Sequence, residues 1–213
     1  MPVLVLTKLS SDEYLGTTWG LVVALMFPLG YGIFDFFAKN KKINLFSVLG
    51  LVSVLITGTI GLLKLDPGWV AVKEAAIPLI IGIVVVVSIY TPFPLVKKLL
   101  YNDQIIDIEK VETELKERGN QQAFNKRLNK ASWMIAGAFM LSAILNYVLA
   151  KIIVKSPAGT QAFNEELGTM TWWSFPVITL PSTVVLAFSL LFLVNGLKKL
   201  TDLEMKDILH NYE

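Results

Sequence analysis

The chain has no cysteine and one histidine, and charged residues make up only 17% of its 213 residues. Without cysteine there is no disulfide, no thiol nucleophile and no thiolate metal site. The lone histidine, His210, stands in a charged tail at the C-terminus, which suits solvation better than catalysis. No residues have metal-ligand spacing, and neither a Gly-rich phosphate loop nor a Ser-based triad is present. Aspartate pairs of the intramembrane-protease kind are missing too. Asp35 is the one aspartate inside a predicted span, and Asp66 falls in a short connection. These absences predict no catalytic residue, no metal and no cofactor, so the chain reads as a non-enzyme. A net charge of +2 with no basic-aromatic motif predicts no nucleic-acid partner.

The charge deficit is concentrated in long runs. A soluble domain carries about 25% charged residues to stay solvated; here hydrophobic residues reach 54%. Uncharged runs cover residues 15–34, 45–63, 75–95, 131–150 and 171–197. Each approaches or exceeds the roughly 20 residues a helix needs to cross a bilayer. None alternates apolar and polar residues as a barrel strand must. The expected fold is therefore all-α, a single integral membrane domain and polytopic bundle with about five spans, near residues 15–37, 43–65, 69–91, 131–152 and 172–197. The lipid bilayer is its first predicted partner. Pro92 and Pro94 should stop the third span near Tyr90. Pro176 and Pro181 predict a bend or an irregular start in the fifth. The opening MPVLVLTKLS has no basic n-region or cleavage site, so it does not read as a signal peptide. A helix over its nine apolar-rich residues would reach only about 13 Å.

Lysine and arginine set the orientation. Five spans place Lys39, Lys41 and Lys42, the eight basic residues of the 94–130 connection, and Lys198, Lys199 and Lys206 on one side. Lys8, Lys64, Lys151 and Lys155 are left for the other. The positive-inside rule makes the richer side cytoplasmic, with the C-terminus. Trp19, Trp69, Trp172 and Trp173 then fall at outer span ends, where indoles favour the headgroup layer. In the cytoplasmic connection, Ile108, Val111 and Leu115 recur at helical spacing, Gly119 is a stop signal, and the second part runs into the fourth span. Acidic residues between the basic ones argue against a strong anionic-lipid patch over this connection as a whole.

Lys73 and Glu74 are the sharpest polar feature, about five residues inside the third span, with Pro78 one turn later. Two readings fit. They form a polar site on a pathway, with Asn146 and Asp35 as further members. Alternatively, Lys73 snorkels to the outer headgroups while Glu74 pairs with another span. Adjacent helix residues point about 100° apart, so Lys73 and Glu74 are not expected to pair with each other. Pro78 removes the donor that the Glu74 carbonyl would otherwise use. Asp35 has a helix-surface partner in Lys39 at i+4. Asn146, Thr179 and Asn195 are expected to make interhelical hydrogen bonds.

Small residues mark helix packing. Gly50, Ser53, Thr57 and Gly61 form a stripe on the second span, and Gly16, Gly20 and Ala24 another on the first. Such stripes bring backbones together where no hydrophobic effect drives association in lipid. They serve equally for packing within the chain or for a homo-oligomer.

With the spans in place, the sequence resembles the intracellular septation protein A-like family of bacterial inner-membrane proteins, in a branch labelled uncharacterised membrane proteins or transporters. The resemblance rests on MFPLGYGIFD (26–35), LITGTIGLLKLDPGWVAVKEAAIPLIIG (55–82) and TPFPLVKKLL (91–100), and continues through KRLNKASW into the fourth span and Asn146. It covers most of residues 15–155. It implies a multi-pass protein of the bacterial cytoplasmic membrane, with division or wall-synthesis membrane proteins as partners. Family members carry more apolar sequence before Pro2, which implies that this chain starts partway through a sixth span. The function expected first is support of the cell envelope and division machinery through helix-packing contacts. The alternative is a small oligomeric transporter or channel with its polar site at Lys73, Glu74, Pro78 and Asn146.

Overall fold

The computed structural model describes residues 2–38, 45–92, 94–101 and 106–208. Among these every regular element is helical, and no strand is formed. In chain order the helices are α1 (Pro2–Lys8), α2 (Gly16–Ala38), α3 (Leu45–Leu62), α4 (Gly68–Ile89), α5 (Leu95–Leu100), α6 (Ile108–Glu117), α7 (Gln121–Ile153), α8 (Gln161–Ser174), α9 (Leu180–Thr201) and α10 (Met205–Ile208). A π-helical turn, Phe175–Thr179, joins α8 to α9.

Four helical stretches are long and apolar enough to cross a membrane: Gly16–Phe34, Gly68–Ile89, Gln121–Ile153 and the continuous Gln161–Thr201. The span expected near 43–65 corresponds to α3, whose fully described part, Val48–Leu62, is shorter than the other four. The 172–197 span is the end of a longer helix that begins at Gln161. Glu165 and Glu166 end the apolar run but do not stop a helix. Thr160 caps α8 instead, its Oγ1 accepting the Phe163 N–H at 3.2 Å. The irregularity expected from Pro176 and Pro181 is the π turn. Each proline removes an N–H, and the wider turn lets the Leu180 N–H reach back to the Phe175 carbonyl.

The chain divides into two compact units. The first holds the residues up to Ile77 and Ser142–Leu180. Its core joins Val5 and Leu6 of α1, Leu21 and Ala24 of α2, Ile60 of α3, Val70 and Ala71 of α4, Leu149 and Ala150 of α7, and Phe163 and Leu167 of α8. Helix α1 packs on α8 and α2.

The second unit holds Pro78–Leu141 and the residues from Pro181 onward. Here α6 turns Val111 and Leu115 inward, against Phe124, Leu128, Leu193, Leu197 and Ile208. Asp107 caps α6 by accepting the Lys110 N–H at 3.1 Å. Gly119, at φ +66°, ends it, with Asn120 N–H bonding the Leu115 carbonyl and Gly119 N–H that of Lys116. Helix α4 stops at Ile89, as Pro92 and Pro94 require. Ser88 Oγ then accepts the Leu95 N–H at 3.0 Å.

Large apolar side chains are exposed along the long helices. Ile80, Ile83, Val84 and Val87 on α4 and Phe188 and Leu191 on α9 are at least 45% exposed. Exposed apolar flanks on helices of this length are the profile of a multi-pass membrane protein.

Candidate functional site

Helices α3 and α4 are joined by a tight turn, in which Leu65 N–H bonds the Ile60 carbonyl and Lys64 takes φ +53°. The turn sets the two helices side by side within the first unit. Thr57 lies five residues before the end of α3 and Lys73 five residues after the start of α4, so the two stand level. The Lys73 ammonium donates to Thr57 Oγ1 at 2.8 Å and to Ser53 Oγ at 3.1 Å. Its third partner is Glu74 Oε1, at 2.6 Å. The Lys73 side chain is only 7% exposed and that of Glu74 25%.

Three sequence expectations change here. Lys73 turns its stem against α3, where its ammonium meets Thr57 and, one turn further from the connecting turn, Ser53. Glu74 pairs with Lys73, not with another span. The 100° separation of adjacent residues was decisive for backbone directions but not for a flexible four-carbon stem. Ser53 and Thr57 are more than small packing residues, because their hydroxyls accept from a buried cation. Each hydroxyl keeps a proton to give, and Thr57 spends its own on the Ser53 carbonyl at 3.0 Å.

The remaining predicted residues are not gathered around this cluster. Asn146 donates within its own helix, to the Ser142 carbonyl at 2.8 Å and Ser142 Oγ at 3.3 Å, and makes no interhelical bond among the described residues. Thr179 likewise donates to Ser174 of its own helix, and Asn195 is exposed on α9. Pro78 sits inside an unbroken α4. Asp35 lies in α2, with its side chain outside the described atoms, and Lys39 and His210 lie outside the described residues.

The glycine stripes divide. A Cβ at Gly61 would overlap Leu21, and one at Gly20 would overlap Ser10, so both are close-approach positions. Gly50 faces open space. Gly16, at φ +73°, is required by the backbone entering α2 and makes no close helix contact.

Two polar contacts had no counterpart in the sequence analysis. Asn164 of α8 is 1% exposed and donates to the Thr17 carbonyl at 2.7 Å and to Ser10 Oγ at 3.2 Å. In the second unit, Arg127 of α7 donates through Nε to the Phe192 carbonyl of α9 at 3.0 Å. Its guanidinium carbon lies 4.3 Å from the Phe192 ring centroid. A Cβ at Gly196 would overlap that guanidinium. The available signals were the Thr160 cap, which predicts that helix α8 includes Asn164, and the glycine one turn after Phe192.

Comparison with known proteins adds no relative: no protein-family profile, no curated protein and no solved structure matches this chain. Among the described residues no group of His, Asp or Glu is placed to hold a metal ion.

Proposed function

We propose that the protein is a non-enzymatic component of a bacterial inner membrane that supports envelope and division machinery through helix-packing contacts. In this reading α3 is a fifth span. The basic 94–130 connection and the C-terminus are cytoplasmic by the positive-inside rule. The family is that of the septation protein A-like proteins, on the sequence resemblance of residues 26–35, 55–82 and 91–100.

The observation that carries the choice of a packing role is the state of the Lys73 ammonium. An ammonium has three N–H donors, and all three face protein acceptors: Ser53, Thr57 and Glu74. A cation whose donors are all taken by its own chain acts as a clamp between α3 and α4. A transport site needs donors left for its cargo, and Asn146 also spends its amide locally.

The absence of cysteine makes the test direct, since any introduced thiol is unique. Glu74→Cys and Asn146→Cys are labelled with a membrane-impermeant reagent from either side. The packing role predicts that position 146 stays silent and that 74 reacts from the outside or not at all. Reaction of both positions from both sides would replace this reading with that of a water-filled pathway. A functional assay adds a second discrimination. Glu74→Gln should leave support of the envelope intact, whereas a transport site would lose its function.

A further inference from the structure

Helices α7 and α9 contain no acidic residue, yet Lys126, Arg127, Lys130, Lys198 and Lys199 lie at the ends where the two meet in the second unit. The pairing there is antiparallel: Asn120 Nδ2 donates to the Leu200 carbonyl at 2.7 Å, and Arg127, two turns on, reaches back to Phe192. Four acids of the second unit face other cations. Glu114 and Asp202 face Arg118, Glu112 faces Lys97, and Asp207 faces Lys110. Among the described residues none of the five cations has a carboxylate partner. The balance of charge seen along the connection as a whole therefore does not hold at this end of α7.

Arg127 is fixed in place. Its Nε is bonded to Phe192, one face of its plane lies on the Phe192 ring, and Gly196 leaves room for it. The two terminal nitrogens of the fork remain for a further acceptor. Lys130 stands three residues after Arg127 on α7, and Lys199 three residues after Gly196 on α9. Because the helices are antiparallel, Lys130 lies one turn along the pair from Arg127 in one direction and Lys199 one turn from Gly196 in the other.

Depth and surface say what kind of acceptor arrives there. Helix α7 has 33 residues, about 50 Å at 1.5 Å per residue, against a hydrocarbon core of about 30 Å. About 20 residues counted inward from Lys151 reach Ala131, so Lys130, Arg127 and Lys126 fall at headgroup level. Lys126 and Lys130 also head a helical stripe that continues through Trp133, Gly137 and Met140. Trp133 and Met140 are exposed, and Gly137 has open space above it. Cations thus stand over an uncovered apolar strip that descends into the span.

We infer that this end of α7 and α9 is a binding site for an anionic phospholipid. Its phosphate is held by the Arg127 fork between Lys126, Lys130 and Lys199, and an acyl chain lies along the Trp133–Met140 strip. A guanidinium fork matches the geometry of two phosphate oxygens. Basic pockets between helix ends at the cytoplasmic leaflet attract such headgroups. The inference goes beyond the proposed packing role and stands without it.

The test is lipid retention by the purified full chain in detergent, measured by native mass spectrometry with phosphatidylglycerol and phosphatidylcholine. The wild type should retain phosphatidylglycerol preferentially. Lys126→Gln and Lys130→Gln remove exposed side chains, so the fold should survive. Each should weaken phosphatidylglycerol retention about fivefold while leaving phosphatidylcholine unchanged. Arg127→Lys should also weaken it, because charge without the fork does not suffice. Equal retention of the two lipids by the wild type, or undiminished phosphatidylglycerol binding in the Lys126→Gln, Lys130→Gln double variant, would overturn the site. If inorganic phosphate alone stabilises the protein as much as the lipid does, the ligand is free phosphate and the lipid assignment fails.

Discussion

Thr57 Oγ1 lies 2.8 Å from the Lys73 ammonium, a hydroxyl of one apolar helix accepting from a cation that the next helix buries. The two residues are sixteen apart in the chain. Only the turn at residues 63–67 brings them level.

That contact predicts an asymmetry. Thr57→Val leaves the buried ammonium short of an acceptor and should cost about 1–3 kcal/mol. Lys73→Met leaves the Glu74 carboxylate without its partner and should cost more than Thr57→Val. Thermal unfolding of the two variants in detergent compares them. An equal or smaller loss for Lys73→Met would show that the clamp does not hold α3 to α4.

The two glycines at the ends of the α3 stripe should separate. Gly61→Val forces a side chain into Leu21 and should destabilise by about 1–3 kcal/mol. Gly50→Ala meets nothing and should gain about 0.5–1 kcal/mol from helix propensity. If both substitutions are equally harmful to the purified monomer, the stripe packs as a whole and the contrast is wrong.

Asn164 is the third position. Asn164→Leu removes the side-chain bond to the Thr17 carbonyl, which keeps its partner within α2, and should cost about 0.5–1.5 kcal/mol. Asn164→Asp places a carboxylate against that carbonyl, so its stability should recover on acidification, when the protonated acid can donate again. Melting curves between neutral and mildly acidic pH would show this recovery, and a pH-independent Asn164→Asp would refute the donor role.

At the C-terminal end, Ile208 is fully buried, its carbonyl accepts the Asp107 N–H at 2.9 Å, and Asp207 accepts from Lys110 Nζ at 2.7 Å. Ile208→Asp should detach α10 and open the 202–208 segment to limited proteolysis without unfolding the spans. The hydrogen bond from Lys110 to Asp207, helped by the charges of Asp207, Asp107 and Glu114, holds the lysine above its usual 10.5 despite some desolvation. A raised lysine contributes fully below its unfolded value, and the contribution fades as pH rises through the folded one. The attachment should therefore be insensitive to pH near neutrality and loosen only above about 10.5. Anisotropy of a dye on Lys206→Cys would follow it.

Much of this architecture was legible in the residues. Uncharged runs of spanning length have no low-energy state in lipid except a helix, because every backbone group must be bonded internally. Pro92 and Pro94 ended α4, and Gly119 closed α6, for local reasons that need no neighbour. Val111 and Leu115 turned inward because helical spacing put them on one face.

What the chain alone left open was every choice of polar partner. Lys73 fits either a pathway residue or a snorkelling one when only its depth in α4 is known. The register of α3 against α4 supplied two hydroxyls on the other side. Arg127 counted only as one more charge until Phe192 and Gly196 of α9 formed its seat. Asn146 turned to its own helix, whereas Asn164 reached a different one. Apolar burial has no direction, so composition and periodicity suffice to predict which segments become helices. A hydrogen bond requires its atoms within about 3 Å and aligned, and that condition is met or missed only when the helices have taken their places.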